Sequence, residues 1–90
     1  MDKATFVDIL THIVAGFEDP DFRQRYAEAK ARGDVQRLMD LAMGAQRAAF
    51  GRHGLDDVTG AVQFKEAGRT YGLDPEVAPL LARMKASLGK

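Results

Sequence analysis

Apolar residues recur at helical spacing along most of the chain, most clearly near its start. Between residues 6 and 17 they fall at i, i+3, i+4, i+7, i+8 and i+11, while Asp8, Thr11 and His12 lie on the other side. This spacing predicts an amphipathic first helix that buries one stripe. The stripe consists of Phe6, Ile9, Leu10, Ile13, Val14 and Phe17.

Start and stop signals predict where the second and third helices lie. Asp19-Pro20 predicts a second helix from Pro20 to about Arg32, because aspartate caps free backbone N–H groups and proline has no N–H to lose. Gly33 ends this helix, and Asp34 caps the third. The apolar side of the second helix is thin, which predicts that it lies on the surface.

Apolar residues surround most of the third helix, so we expect it to be the central helix of the fold. Gly44 costs about 1 kcal/mol of helix propensity relative to alanine, and we expect close packing of a neighbouring helix to compensate. Met39, Met43 and Phe50 lie on an adjoining face. They are either ordinary core residues or a surface that binds a partner or a second copy.

Glycines and a second Asp-Pro pair mark the last two helices. Gly51 and Gly54 end the third helix, and a loop follows to about Thr59. The fourth helix ends at Gly72, and Asp74-Pro75 starts the fifth. The fourth helix presents Ala61, Phe64, Gly68 and Tyr71 on one face. The stripe of the fifth consists of Val77, Leu80, Leu81, Met84 and Leu88. The prediction is a single all-α domain over residues 1–90, with five helices and no strand.

Composition and charge narrow the classes of function. With 46% hydrophobic and 29% charged residues, the chain resembles an ordinary globular domain. Thirteen basic residues balance thirteen acidic ones, so no long-range field attracts nucleic acid or an anionic membrane. The absence of cysteine excludes disulfides and thiol catalysis, and it favours a cytoplasmic location for the protein. Neither a targeting signal nor a membrane span of about 20 apolar residues is expected.

The only candidate catalytic site is the loop before the fourth helix, where His53, Asp56, Asp57 and Thr59 lie close in sequence. A histidine beside carboxylates serves as a general base where burial tunes its pKa. The same residues also suit a plain loop, because Asp and Thr bond their own backbone in turns and cap helices. We favour the second interpretation.

Metal and DNA sites are less favoured. His12 follows Asp8 by four residues, which more simply makes an exposed helix pair, and a metal would need further ligands. The fourth and fifth helices, joined at Gly72-Leu73-Asp74, resemble a helix-turn-helix. Its second helix would begin with Asp74 and Glu76, which would face phosphates unfavourably. We expect no metal, no cofactor and no nucleic acid.

Several short motifs follow one another along the chain in a characteristic order and spacing. They are Ala15-Gly16-Phe17, Pro20, Arg25, Glu28-Ala29, Gln46, Gly54, Gly60, Phe64, Tyr71, Asp74-Pro75-Glu76, Leu80, Leu81 and Lys85-Ala86. In these motifs the chain resembles the small eukaryotic protein C-ten family over nearly its whole length. Two departures are His53, where the family has an aromatic residue, and a shorter loop between Gly54 and Phe64. The resemblance implies a small cytoplasmic helical protein, linked in mammals to brain development, and it carries over no catalytic residue.

Together these patterns favour a non-catalytic protein–protein interaction module in the cytoplasm. The first alternative is a homodimeric structural protein that pairs through apolar surface on helix 3 or helix 1, because a chain of this length buries only a small core. The second is a small enzyme or ligand-binding protein with a site around His53 and Asp57.

Overall fold

The computed structural model describes residues 1–88, and in that range the chain forms five α-helices and no strand. The predicted all-α fold is therefore confirmed. None of the helices in residues 1–88 is long and apolar enough to cross a membrane. The helices are α1 (Lys3–Glu18), α2 (Pro20–Ala31), α3 (Val35–Gly51), α4 (Asp57–Tyr71) and α5 (Ala78–Ser87).

The central helix is α1. All six residues of its apolar stripe are at most 1% exposed, and α1 packs against each of the other four helices. The prediction that helix 3 is central is wrong, since only Ala49 and Phe50 of α3 are buried. The physical reason is that α1 carries large side chains toward two sides, whereas the core-facing positions of α3 are mostly small alanines.

The stripe of α1 divides between two hydrophobic clusters. Phe6, Leu10 and Val14 pack against residues of α4 and α5. The ring of Phe6 lies 5.1 Å from that of Phe64 on α4. The other three residues of the stripe contact α3 and α2. Burying each of these large side chains contributes about 1.5–3 kcal/mol, so both halves of the fold depend on one helix. The second cluster consists of Ile9, Ile13, Phe17, Ala49 and Phe50.

Contacts between distant residues give the directions of the helices. Lys3, at the start of α1, forms an ion pair of 2.9 Å with Asp74, just before α5. Arg83, near the end of α5, donates two hydrogen bonds of 3.1 and 2.6 Å to Glu18, at the end of α1. The helices α1 and α5 therefore run parallel.

The helices α1 and α3 run antiparallel and approach closely at Gly16. A Cβ atom added to Gly16 would lie 3.4 Å from the Cβ of Ala45, whereas one added to Gly44 would have no neighbour within 4 Å. The expectation that Gly44 permits close packing is therefore wrong, because this glycine lies on the exposed side of α3. The small residues that bring the two helices together are Gly16 and Ala45.

The predicted caps locate most helix ends. The side chains of Asp19 and Asp34 accept hydrogen bonds from backbone N–H groups at the starts of α2 and α3. Gly33 and Gly54 have φ values of 67° and 68°, a region that favours glycine, at the ends of α2 and α3. The thin apolar side of α2 also agrees with its structure, since Ala29 is its one buried residue.

Two predicted helix starts are wrong by a few residues. The fifth helix begins at Ala78 rather than at Asp74-Pro75, because Asp74 forms a turn of its own. Its carboxylate accepts the N–H of Glu76, and its carbonyl accepts the N–H of Val77. The fourth helix begins at Asp57, before Thr59, because Asp56 supplies its cap.

Candidate functional site

The most exposed apolar surface of α3 is a stripe formed by Val35, Met39 and Met43, which we call the α3 stripe. These residues lie at i, i+4 and i+8 and are 64%, 53% and 41% exposed. Such spacing places them on one side of the helix. The sequence identified two of the three, Met39 and Met43, as part of a candidate partner surface.

Phe50 does not belong to this surface. It is 2% exposed, and its ring centroid lies 5.9 Å from that of Phe64 on α4. The prediction that it lies with Met39 and Met43 on one exposed surface is therefore wrong. Phe50 is in the last turn of α3, where α1 and α4 cover the helix. Residues that share a helical face in the sequence pattern can therefore differ in burial, because the neighbouring helices cover only part of α3.

The α3 stripe is exposed because the first turns of α3 lie beyond the hydrophobic clusters. The α3 residues in or against those clusters begin at Ala42 and continue through Phe50. Before Ala42, α2 flanks α3 on another side, where Arg25, Ala29 and Arg37 line a small cleft between the two helices. Nothing in residues 1–88 covers the side that bears the α3 stripe.

Of the loop residues predicted as a candidate catalytic site, Asp56 and Thr59 bond each other, whereas His53 and Asp57 each bond a residue outside the loop. Asp56 accepts the backbone N–H of Thr59 at 2.6 Å and so caps α4. Asp57 accepts a hydrogen bond of 2.6 Å from Arg47 of α3. His53 bonds Asp8 of α1 at 2.7 Å. Each of the three side chains has a separate partner that holds the fold together.

Asp8 is the centre of a polar cluster that joins α1 to the end of α3. Its carboxylate lies 2.7 Å from Nε2 of His53, 3.4 Å from Nε2 of His12 and 3.9 Å from Nε of Arg52. An ionised carboxylate only accepts, so Nε2 of His53 carries the donated proton. That hydrogen bond is the main cause that lowers the pKa of Asp8, and the charges of His12 and Arg52 add to it.

The sequence suggested the pair of Asp8 with His12 but not that of Asp8 with His53. The second pair joins residues 45 positions apart, and only the antiparallel packing of α1 on α3 brings them together. No group of three or more His, Asp or Glu side chains in residues 1–88 is placed to hold a metal ion. The cluster consists of exposed and half-exposed side chains, and its clearest role is to fasten the α3–α4 loop to α1.

Comparisons of the chain with protein-family models, with curated proteins and with solved structures found no match. The resemblance to the protein C-ten family therefore stays a prediction from the sequence motifs.

Proposed function

We propose that this protein is a non-catalytic interaction module that binds an amphipathic helix of another protein along the α3 stripe. The observation that carries the proposal is that Val35, Met39 and Met43 are all exposed along one side of α3. Apolar side chains arranged in this way are a common mark of a protein-binding surface.

The dimensions of the α3 stripe suit a helical partner. Eight residues of helix separate Val35 from Met43, which is about 12 Å along the axis. That length matches two turns of a partner helix, whose apolar residues recur at i, i+3 or i+4, and i+7. Two of the three side chains are methionines, whose flexible thioethers adapt to different neighbours.

Homodimerisation is the second candidate, and one feature of the α3 stripe favours it. Val35 and Met43 are equally spaced about Met39, so two antiparallel copies would place each Val35 opposite the other copy's Met43. A stable dimer, however, buries about 800 Å² on each partner. Three partly exposed side chains provide much less, and this favours a transient partner helix over a stable dimer.

Catalysis is less favoured than binding because the loop side chains already have partners. His53, Asp56 and Asp57 bond to α1, to the backbone of α4 and to α3 respectively. The proposal includes a cytoplasmic location, which the absence of cysteine supports. The resemblance to the protein C-ten family supports a non-catalytic role, since that resemblance implies no catalytic residue.

The test is a photo-crosslinking amino acid placed at Met39 in the full chain, expressed in its native cell. The same amino acid at Val62, an exposed position of α4 that is 54% exposed, provides the matched control. We expect a crosslinked partner from Met39 that is absent from Val62, with the crosslink in an apolar helical segment of that partner. Equal crosslinking from both positions would contradict the proposal.

Binding of the purified chain to the crosslinked segment then tests whether the α3 stripe is the binding surface. The double variant Met39→Gln, Met43→Gln keeps good helix formers and removes the apolar groups. We expect it to abolish binding of the crosslinked segment, while Val58→Gln, Val62→Gln on α4 leaves binding unchanged. If the purified chain crosslinks to itself and sediments as a dimer that the α3 double variant dissociates, the homodimer replaces the heteromeric proposal.

A further inference from the structure

A cleft separates α2 from the end of α5. One face of α2, with residues at i, i+3, i+4 and i+7, forms one wall, and the last residues of α5 form the other. A cavity of about 260 Å³ and an adjoining one of about 270 Å³ share Arg23, Ala86 and Ser87. Together they reach the size of small-molecule sites, about 300–1,000 Å³. The α2 wall consists of Arg23, Tyr26, Ala27 and Lys30.

The cleft is positively charged although the chain is neutral overall. Arg23, Lys30 and Arg83 contribute three positive charges, and Glu18 contributes one negative charge, which leaves an excess of two. Glu18 and Arg83 neutralise each other through two hydrogen bonds of 2.6 and 3.1 Å. Arg23 and Lys30 form no ion pair with any residue in the range 1–88. Two cations in the cleft are therefore left to bind an anion.

Helix ends do not account for both cations. Lys30 lies in the last turn of α2, where a positive charge is favourable, but Arg23 lies in the first turns, where it is not. The end of α5 contributes about half an elementary negative charge to the cleft. This is small compared with the excess of two positive charges.

The other surfaces of the cleft are aromatic and apolar. Tyr26 is half-buried and stacks on Phe22 with ring centroids 5.7 Å apart, and Phe22 stacks on the buried Phe17 at 5.0 Å. This stack holds the ring of Tyr26 in place beside the two cations. Ser87 and Leu88 lie on the opposite wall.

We propose that the α2–α5 cleft binds an aromatic phosphomonoester. A phosphomonoester carries about −1.5 to −2 charge at neutral pH, which matches the local excess, whereas a single carboxylate carries half of that. Arginine and lysine both bind phosphate oxygens. The ring of the ligand would pack against Tyr26 and Leu88. The cleft shares no residue with the α3 stripe, so this proposal stands independently of the proposed function.

The experiment is an NMR titration of the isotope-labelled full chain with phenyl phosphate, and in parallel with inorganic phosphate. We expect saturable backbone shifts that cluster at residues 23–30 and 83–88, and tighter binding of phenyl phosphate than of inorganic phosphate. Adenosine monophosphate and phosphotyrosine, titrated in the same way, distinguish a nucleotide from a phosphorylated aromatic side chain as the source of the ligand.

Two matched double variants separate a built site from general charge. Arg23→Gln, Lys30→Gln should weaken phenyl phosphate binding by about tenfold or more. Lys65→Gln, Arg69→Gln on α4 removes the same charge and should leave the affinity unchanged. Both pairs are exposed, so we expect folded variants, which the free-state spectra check. Tyr26→Leu should abolish the preference for phenyl over inorganic phosphate. Equal weakening by both double variants, or no saturable shift at millimolar phenyl phosphate, would overturn the proposal.

Discussion

Replacing Gly60 by alanine tests how closely α4 packs against α3. A Cβ atom at Gly60 would lie 2.9 Å from both Cγ and Cδ2 of Phe50 and 3.4 Å from the Cβ of Leu55. Phe50 is buried and its ring also contacts Phe64. The ring therefore has to displace a second core side chain to make room for a methyl group. We expect Gly60→Ala to overpack this contact.

The size of the effect follows from two opposing contributions. Overpacking a core costs about 1–3 kcal/mol, and alanine has about 1 kcal/mol more helix propensity than glycine. Gly60→Ala should therefore lower the free energy of unfolding by up to about 2 kcal/mol. Gly44→Ala makes the same chemical change where the added Cβ has no neighbour within 4 Å. It should raise the free energy of unfolding by up to about 1 kcal/mol.

The assay is urea and thermal unfolding of both variants and the wild type, followed by circular dichroism. The two substitutions have the same effect on the unfolded chain, so their difference reports the folded contacts. A difference of about 1 kcal/mol corresponds to about 4–8 °C in Tm for a domain of this size. If Gly60→Ala proved as stable as Gly44→Ala, the reasoning that Phe50 is packed tightly against α4 would be refuted.

Three further predictions test the central helix, a cap and the polar cluster. Ile13→Ala should lower the free energy of unfolding by about 2–5 kcal/mol because it leaves a cavity in the core. Met43→Ala should lower it much less, and equal losses would contradict the central position of α1. Asp56→Ala should cost about 0.5–2 kcal/mol and Asp56→Ser should restore most of it; failure of serine to restore stability would mean that the residue does not act as a cap. The hydrogen bond from His53 lowers the pKa of Asp8 from its ordinary value of 3.8, so this pair stabilises the fold above that pH and loses its contribution as the pH falls through the lower folded pKa. Asp8→Asn should therefore have a lower urea midpoint than the wild type at neutral pH, and the gap should narrow below pH 3.8; a gap that is independent of pH would refute the linkage.

The sequence predicted local structure well because the relevant signals are local. The stripe of α1 and the caps at Asp19 and Asp34 depend on residues within a few positions of one another. The start of α5 was misplaced because Asp74 bonds Lys3, from the other end of the chain, and stays in a turn. The carboxylate of Asp74 accepts a hydrogen bond from the N–H of Glu76 just as that of Asp19 does from the N–H of Asp21. The local Asp-Pro signal is therefore the same at both sites and does not distinguish a turn from a helix start.

Burial was harder to predict than helicity because it depends on which helices become neighbours. The apolar circumference of α3 indicated a central helix, but helix counts and lengths do not say that α4 and α5 pack on α1. Phe50 and Met43 have similar hydrophobicity and lie two turns apart, yet one is 2% and the other 41% exposed. The bond between Asp8 and His53 depends on the same missing information.

The parallel pairing of α1 with α5 has a consequence for the order of events during synthesis. The helix that supplies most of the core, α1, is synthesised before the other four helices, and α5, which covers part of its stripe, is synthesised after them. The contacts of Lys3 with Asp74 and of Glu18 with Arg83 join residues at least 65 positions apart in sequence. The apolar side of α1 therefore stays incompletely covered until α5 has been synthesised, and a chain that stops before α5 leaves Phe6 and Leu10 exposed and prone to aggregate.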